Sequence, residues 1–267
     1  MTEPNKPGKS MPDNQVAEWF HERYTMAANE VIEFFGAGFH ALSGQEIADI
    51  GCGDGVMDLG IFKRVLPARM VGFDTKATNT RFLENLAQEQ GAATRLPPSL
   101  QFAQCKPESL PADNESFDYV FSWSTLHHVA DPRAMISEVR RIIRPNGAFF
   151  IQLYPFYHSR NGSLLERWFP EGFAQLTMPY EQIAAKVSEQ PGDDPAWAEK
   201  LLRDFVKLNR LTLDDLGKLL SVCGFTVTRL KLITSETRLP VGASSALPLS
   251  QLGVEGVKLL AVPTQTQ

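Results

Sequence analysis

The chain has 267 residues, 43% of them hydrophobic, and a formal net charge of −5. That length and apolar content sustain one large core, while the acidic balance excludes a global electrostatic footprint for nucleic acid or an anionic membrane surface. Cys52, Cys105 and Cys223 lie far apart and lack metal-ligand spacing, which argues against a disulfide framework or zinc site and for a reducing compartment.

The first 13 residues contain three prolines and few apolar side chains, so a disordered tail is expected there, with residues 14–267 forming a single domain. Between 14 and 39, Val16, Phe20, Tyr24, Val31, Phe34 and Phe35 recur near helical spacing and predict one or two amphipathic helices. No apolar stretch is long enough to span a bilayer and no signal-type leader opens the chain, so a soluble, cytoplasmic protein is expected. Apolar runs at 46–50, 70–74, 100–105, 118–123 and 148–153 read as strands, alternating with helical patterns at 78–90 and 132–143. A Pro145-Asn146-Gly147 turn is expected to stop the second of these helices. Thr212 begins a capping pattern for a helix that Gly224 ends, and strands follow at 225–233 and 257–262. Residues 240–253 read as a connecting loop. The alternation predicts an α/β fold, a Rossmann-like doubly wound parallel sheet.

The most informative segment is the run from Glu46 through Asp49, Gly51, Cys52, Gly53, Asp54 and Gly55. A strand ending in closely spaced glycines lets backbone approach a ligand, and the following helix offers unpaired N–H groups. A dinucleotide fingerprint needs a sixth-position glycine, and Val56 stands there instead. Asp49 disfavours a pyrophosphate and favours a cationic ammonium or sulfonium ligand. Asp74, closing the next strand with Thr75 beside it, suits ribose hydroxyls.

With the further segments Leu110-Pro111, Ser116 to Ser122, Leu126-His127-His128-Val129, Asp131-Pro132 and Arg144 to Gly147, the chain resembles class I S-adenosylmethionine-dependent methyltransferases of the small-molecule, quinone-biosynthesis-like group. The resemblance covers most of residues 45–155. It implies a seven-stranded sheet of order 3-2-1-4-5-7-6 with the last strand antiparallel, and S-adenosylmethionine as cofactor, leaving S-adenosylhomocysteine.

Doubly wound sheets bind ligands beyond the carboxyl ends of their strands, at the topological switch point. Gly51, Cys52, Gly53 and Gly55 are expected to cradle the methionine part, Asp49 its ammonium group and Asp74 the ribose. Lys106, Pro107 and Glu108 occupy the adenine position, where relatives carry an acidic residue followed by alanine; Ser122 and Trp123 are expected to line the methyl-donor end. His127 and His128 sit where an acceptor meets the methyl group, as candidate general bases or as loop-holding residues. Tyr154, Phe156, Tyr157, His158 and Arg160 are candidate acceptor contacts, and Tyr24 a candidate covering residue. Residues 155–211 read as a helical lid, with helices at 164–169, 179–188 and 197–208. Its aromatics Trp168, Phe169, Phe173 and Trp197 form either an acceptor pocket or the lid's own core. The expected partner is a small-molecule acceptor, without nucleic acid or membrane. An RNA-modifying methylase and a noncatalytic S-adenosylmethionine-binding regulator are the alternatives.

Overall fold

The computed structural model describes residues 13–36, 41–189 and 195–265; the expected tail at residues 1–13 lies outside them except for Asp13, which opens the first helix. Strands β1 (Glu46–Ile50), β2 (Arg69–Asp74), β3 (Leu100–Gln104), β4 (Phe117–Trp123), β5 (Ile143–Leu153), β6 (Phe225–Thr234) and β7 (Val254–Pro263) form one sheet of order 3-2-1-4-5-7-6. The first five are parallel, and β7 runs antiparallel to both β5 and β6. The order reverses between β1 and β4, which opens the cleft at their carboxyl ends.

Residues alternate between the two faces of each strand, so β1 serves two cores. Ile47 packs with Met70, Phe121 and Phe150 beneath α1 (Asp13–His21), α2 (Ala28–Phe34), α3 (Val56–Val65) and α4 (Thr80–Glu89). Ala48 and Ile50 pack with Val120 and Phe149 under α5 (Pro132–Ile142) and α9 (Leu213–Val222). Phe117, Phe121, Phe149 and Phe150 are wholly buried, each contributing on the order of 2–3 kcal/mol by area.

Local chemistry explains the helix ends. The Asp131 carboxylate accepts from Ala134 N–H at 3.0 Å and Pro132 occupies the first turn of α5. Thr212 and Asp215 close a capping box on α9, and Gly224, at φ +79°, follows its end. The residues between α1 and α2, Glu22–Ala27, form a π-helical turn. Gly60 of α3 admits it closely: a Cβ there would lie 2.2 Å from the Tyr24 carbonyl oxygen.

Three expectations are corrected. Residues 164–169 are turns rather than a helix, because Leu164 adopts φ +59° and the chain reverses around it. Residues 240–253 contain two short helices, α10 (Ala243–Ala246) and α11 (Leu249–Gly253). Pro145 to Gly147 lie inside β5 rather than before it. Pairing steps from Phe117 with Ile143 to Tyr119 with Ala148, and the intervening residues bulge where Arg144 pairs with Asp118 at 2.6 Å.

The insertion carries α6 (Ala174–Thr177), α7 (Tyr180–Ser188) and α8 (Pro195–Lys207). Trp168 and Phe169 are buried with Ile183, Val187, Leu202 and Phe205, so these aromatics form the insertion's own core. Phe173 is buried too, and Trp197 packs on Trp168 with ring centroids 5.4 Å apart. Among the described residues no helix is long and apolar enough to cross a membrane.

Candidate functional site

The glycine turn leaves β1 with Gly51, Gly53 and Gly55 at φ +90°, +58° and +79°, a region that penalises every residue with a Cβ. Two of these glycines are enforced by neighbours. A Cβ at Gly51 would lie 2.1 Å from Thr125 Oγ1, and one at Gly55 2.6 Å from Phe102. Gly53 differs, since a Cβ there meets no atom within 4 Å, which leaves its backbone face open. Cys52 turns its side chain inward against Gly72. Burial pushes its thiol far up, which leaves only its backbone available toward the open side of the turn.

Asp74 is bonded into this turn. Its Oδ2 accepts from Gly53 N–H and its Oδ1 from Lys76 N–H, both at 2.9 Å, with the Thr75 hydroxyl 3.5 Å from Oδ1. Oδ2 retains a lone pair, and the Thr75 bond to Oδ1 is long enough to give way, which suits ligand hydroxyls.

Asp49 is fully buried in β1, and Asp58 is fully buried in the first turn of α3. Their carboxyl oxygens meet no donor from any other side chain, and among side chains the two acids bond only to each other. Burial, then the neighbouring Asp58, raises Asp49 well above the carboxylate range; burial pushes Asp58 up to about 8. Beside them Asp54 accepts from Val56 N–H at 3.0 Å and lies 3.8 Å from Arg23 of the π-helical turn. A buried acid pair with no basic partner, next to an open glycine backbone, fits a ligand that brings its own cation.

In the loop after β3, Lys106 and Glu108 are exposed and Pro107 is half-buried; the Lys106 carbonyl accepts from Ser109 N–H. Asp74 and Glu108 both act on Cys105, whose thiol is pushed up to about 11, chiefly by burial. This loop therefore flanks Asp74.

At the end of β4 the expectations divide. Ser122 is buried and its hydroxyl donates to the Ile50 carbonyl at 3.0 Å, so it joins β4 to β1 instead of presenting a donor to a ligand. Trp123 packs on Phe150, with Lys258 Nζ 5.6 Å from its ring centroid, in the core on the α1–α2 side. Thr125, which the sequence reading passed over, bridges the site: its hydroxyl reaches the Trp123 and Gly51 carbonyls at 3.1 and 3.4 Å.

His127 and His128 occupy a 3-10 turn, Leu126–His128, their rings 4.2 Å apart. His128 is exposed, whereas His127 is 4% exposed with neither ring nitrogen hydrogen-bonded. Burial, reinforced by His128, holds His127 well below the usual imidazole value, and so neutral.

The candidate acceptor residues also separate. Tyr157 lines a groove of about 480 Å³ with Met178, Ile183, Phe205, Leu208 and Arg210. The Arg210 guanidinium sits 4.9 Å from the Tyr157 ring centroid, and His158 packs edge-on against Tyr157. Burial, with Arg210 second, lowers the His158 imidazole. Phe156, however, belongs to the sheet core. Tyr154 is buried, its hydroxyl accepting from Asn161 at 3.2 Å. Arg160 donates to the Pro170 carbonyl at 2.8 Å and packs over Gly172, which ties it to the insertion's own loop. Tyr24 stacks on Phe20 and lies under Arg64, over α3 rather than at the groove.

The sheet has the order 3-2-1-4-5-7-6, and residues 48–151, which hold the glycine turn and the acid closing β2, match the methyltransferase domain family. Among named relatives, the chain is similar to the ubiquinone biosynthesis O-methyltransferase of Methylobacterium sp. strain 4-46, 34% identical over 109 residues, 41% of each chain. The protein of the same name from Bartonella tribocorum is 26% identical over 174 residues, 64% of this chain and 62% of that one. The chain spans about two fifths of the length of the first of these relatives. A geranyl diphosphate C-methyltransferase from Streptomyces coelicolor A3(2), solved with Mg2+, geranyl diphosphate and S-adenosyl-L-homocysteine, shares the fold. It matches with a TM-score of 0.58 at 15% identity, covering 98% of this chain and 89% of that one.

Proposed function

We propose that the chain moves a methyl group from S-adenosylmethionine to a small-molecule acceptor, with oxygen as the accepting atom. One arrangement carries this reading: Asp74 bonded to Gly53 N–H, an open face over Gly53, and behind the turn the buried acid Asp49, whose side chain is bonded only to Asp58. When bound, the cofactor supplies an electrophilic methyl group on a sulfonium.

The residues divide the work. The backbone of Gly51 to Gly55 holds the methionine end, Asp49 faces its ammonium, Asp74 takes the ribose hydroxyls, and the 106–108 loop borders the adenine. The acceptor lies toward the insertion, its apolar body in the groove beside Met178, Phe205 and Leu208, and an acidic substituent drawn to Arg210. Displacement requires donor and acceptor in line with water excluded. His127, neutral and without a hydrogen-bond partner, is in the protonation state of a base. It takes the acceptor's hydroxyl proton as the C–O bond forms and the C–S bond breaks, and the exposed His128 beside it passes the proton to solvent. The names of the curated relatives, O-methyltransferases, support oxygen as the acceptor atom.

The test is a screen of phenols and hydroxy acids with methyl-labelled cofactor, products identified by mass spectrometry. Label on acceptor oxygen is the expected result. Label only on carbon or nitrogen would overturn the choice of oxygen, and no transfer by protein that binds S-adenosylhomocysteine would overturn the enzymatic reading.

A further inference from the structure

His127 presents a problem to any acceptor: the ring is buried, so the turn that carries it must shift before a proton can be exchanged. One residue outside the turn holds it in place. Asn209, in the segment between α8 and α9, donates its backbone N–H to the His127 carbonyl at 2.9 Å. Its side-chain amide donates to the Leu126 carbonyl at 2.7 Å and to the Val129 carbonyl at 2.8 Å. The remaining polar atom, Oδ1, accepts from Leu211 N–H at 3.2 Å. Both amide hydrogens and the backbone N–H are thus fixed on one four-residue stretch, with sequence separations of 80 and more for the side-chain bonds.

The neighbours of Asn209 make this more than a structural tie. Leu208 and Arg210, the residues on either side of it, both line the groove assigned above to the acceptor. A ligand that packs on Leu208 and draws in Arg210 displaces the backbone between them, and the three donors of Asn209 pull on Leu126, His127 and Val129. On the far side the same stretch meets the glycine turn, since Thr125 O accepts from His128 N–H and Thr125 Oγ1 reaches the Gly51 carbonyl at 3.4 Å. We propose that Asn209 is a positioning residue that couples occupancy of the Tyr157–Arg210 groove to the placement of the His127–His128 turn. The inference rests on the groove being the acceptor site.

The test uses the full chain, with 1-anilinonaphthalene-8-sulfonate as an apolar anionic probe and the ring C–H resonances of the histidines as the readout. His127→Gln and His128→Gln variants assign the signals. The probe is expected to shift His158, beside Arg210, and also His127 and His128. In Asn209→Ala, and in the isosteric Asn209→Asp, which removes the amide donors while conserving volume, the His158 shift is expected to persist and the His127 and His128 shifts to shrink several-fold, since only the backbone bond to the His127 carbonyl remains. Equal shifts of the histidine turn in wild type and both variants would overturn the coupling. So would a wild-type titration that moves His158 alone, or moves no histidine. Binding of S-adenosylhomocysteine by the same samples separates this outcome from failure of the methyltransferase reading: lost cofactor binding with intact histidine coupling would reject the methyltransferase and keep the role of Asn209.

Discussion

Arg64 of α3 donates one guanidinium nitrogen to the Tyr24 carbonyl at 2.7 Å, and the same nitrogen reaches the Gly60 carbonyl at 2.7 Å. This bond locks the π-helical turn onto the helix that follows the glycine turn. The lock depends on Gly60, because any side chain there collides with the Tyr24 backbone.

Gly60→Ala should therefore lift the N-terminal segment and destabilise the protein by about 1–3 kcal/mol, the usual cost of overpacking. Thermal melting checks the loss of stability, and limited proteolysis checks its location, with cleavage moving to residues around Tyr24. An unchanged melting point would mean that the segment repacks without cost.

Asp58 gives a pH dependence of defined sign. Its folded value is raised from 3.8 to about 8, so the native state holds a proton that the unfolded chain releases. Stability from this group is fully present below pH 3.8 and is lost as pH rises toward about 8. The ligand-free protein should melt at progressively lower temperature across that window, and Asp58→Asn, which needs no proton, should flatten the slope and stabilise the protein at its upper end. Melting curves at several pH values, recorded without cofactor, decide the matter.

The two histidines should respond differently. His127→Ala removes the proposed base and should lower turnover by about 10²–10⁴-fold while leaving cofactor affinity intact. His128→Ala should lower it less, and added imidazole should restore part of the His127→Ala loss, because the cavity left is buried. Full activity in both variants would reduce the pair to holding the loop.

Much of the fold was legible because its signals are local. The runs ending in Ile50, Asp74 and Trp123 are short, apolar and punctuated, and their order implied the switch point between β1 and β4, beside which Gly53 and Asp74 meet. The turn at 164–169 was misread because Leu165, Trp168 and Phe169 have the spacing of a helix, yet they pack as a core around a left-handed Leu164. Ser122 and Arg160 carry the chemistry of binding residues, but their donors are engaged by the Ile50 and Pro170 carbonyls, partners that only the tertiary structure supplies. Asn209, Arg210 and Thr125 left no trace in periodicity. Each sits in a connecting segment, and each matters through residues that are distant in sequence.

The proposed function requires the Gly53–Asp74 turn to hold an adenosyl cofactor. Calorimetric titration of the full chain with S-adenosylhomocysteine tests it most directly, with Asp74→Ala as the comparison. One saturable site per chain is predicted, weakened by about 10- to 100-fold in the variant, the size expected for charged hydrogen bonds to two hydroxyls. Absence of binding by the folded wild-type protein, or equal affinity in the variant, would contradict the account.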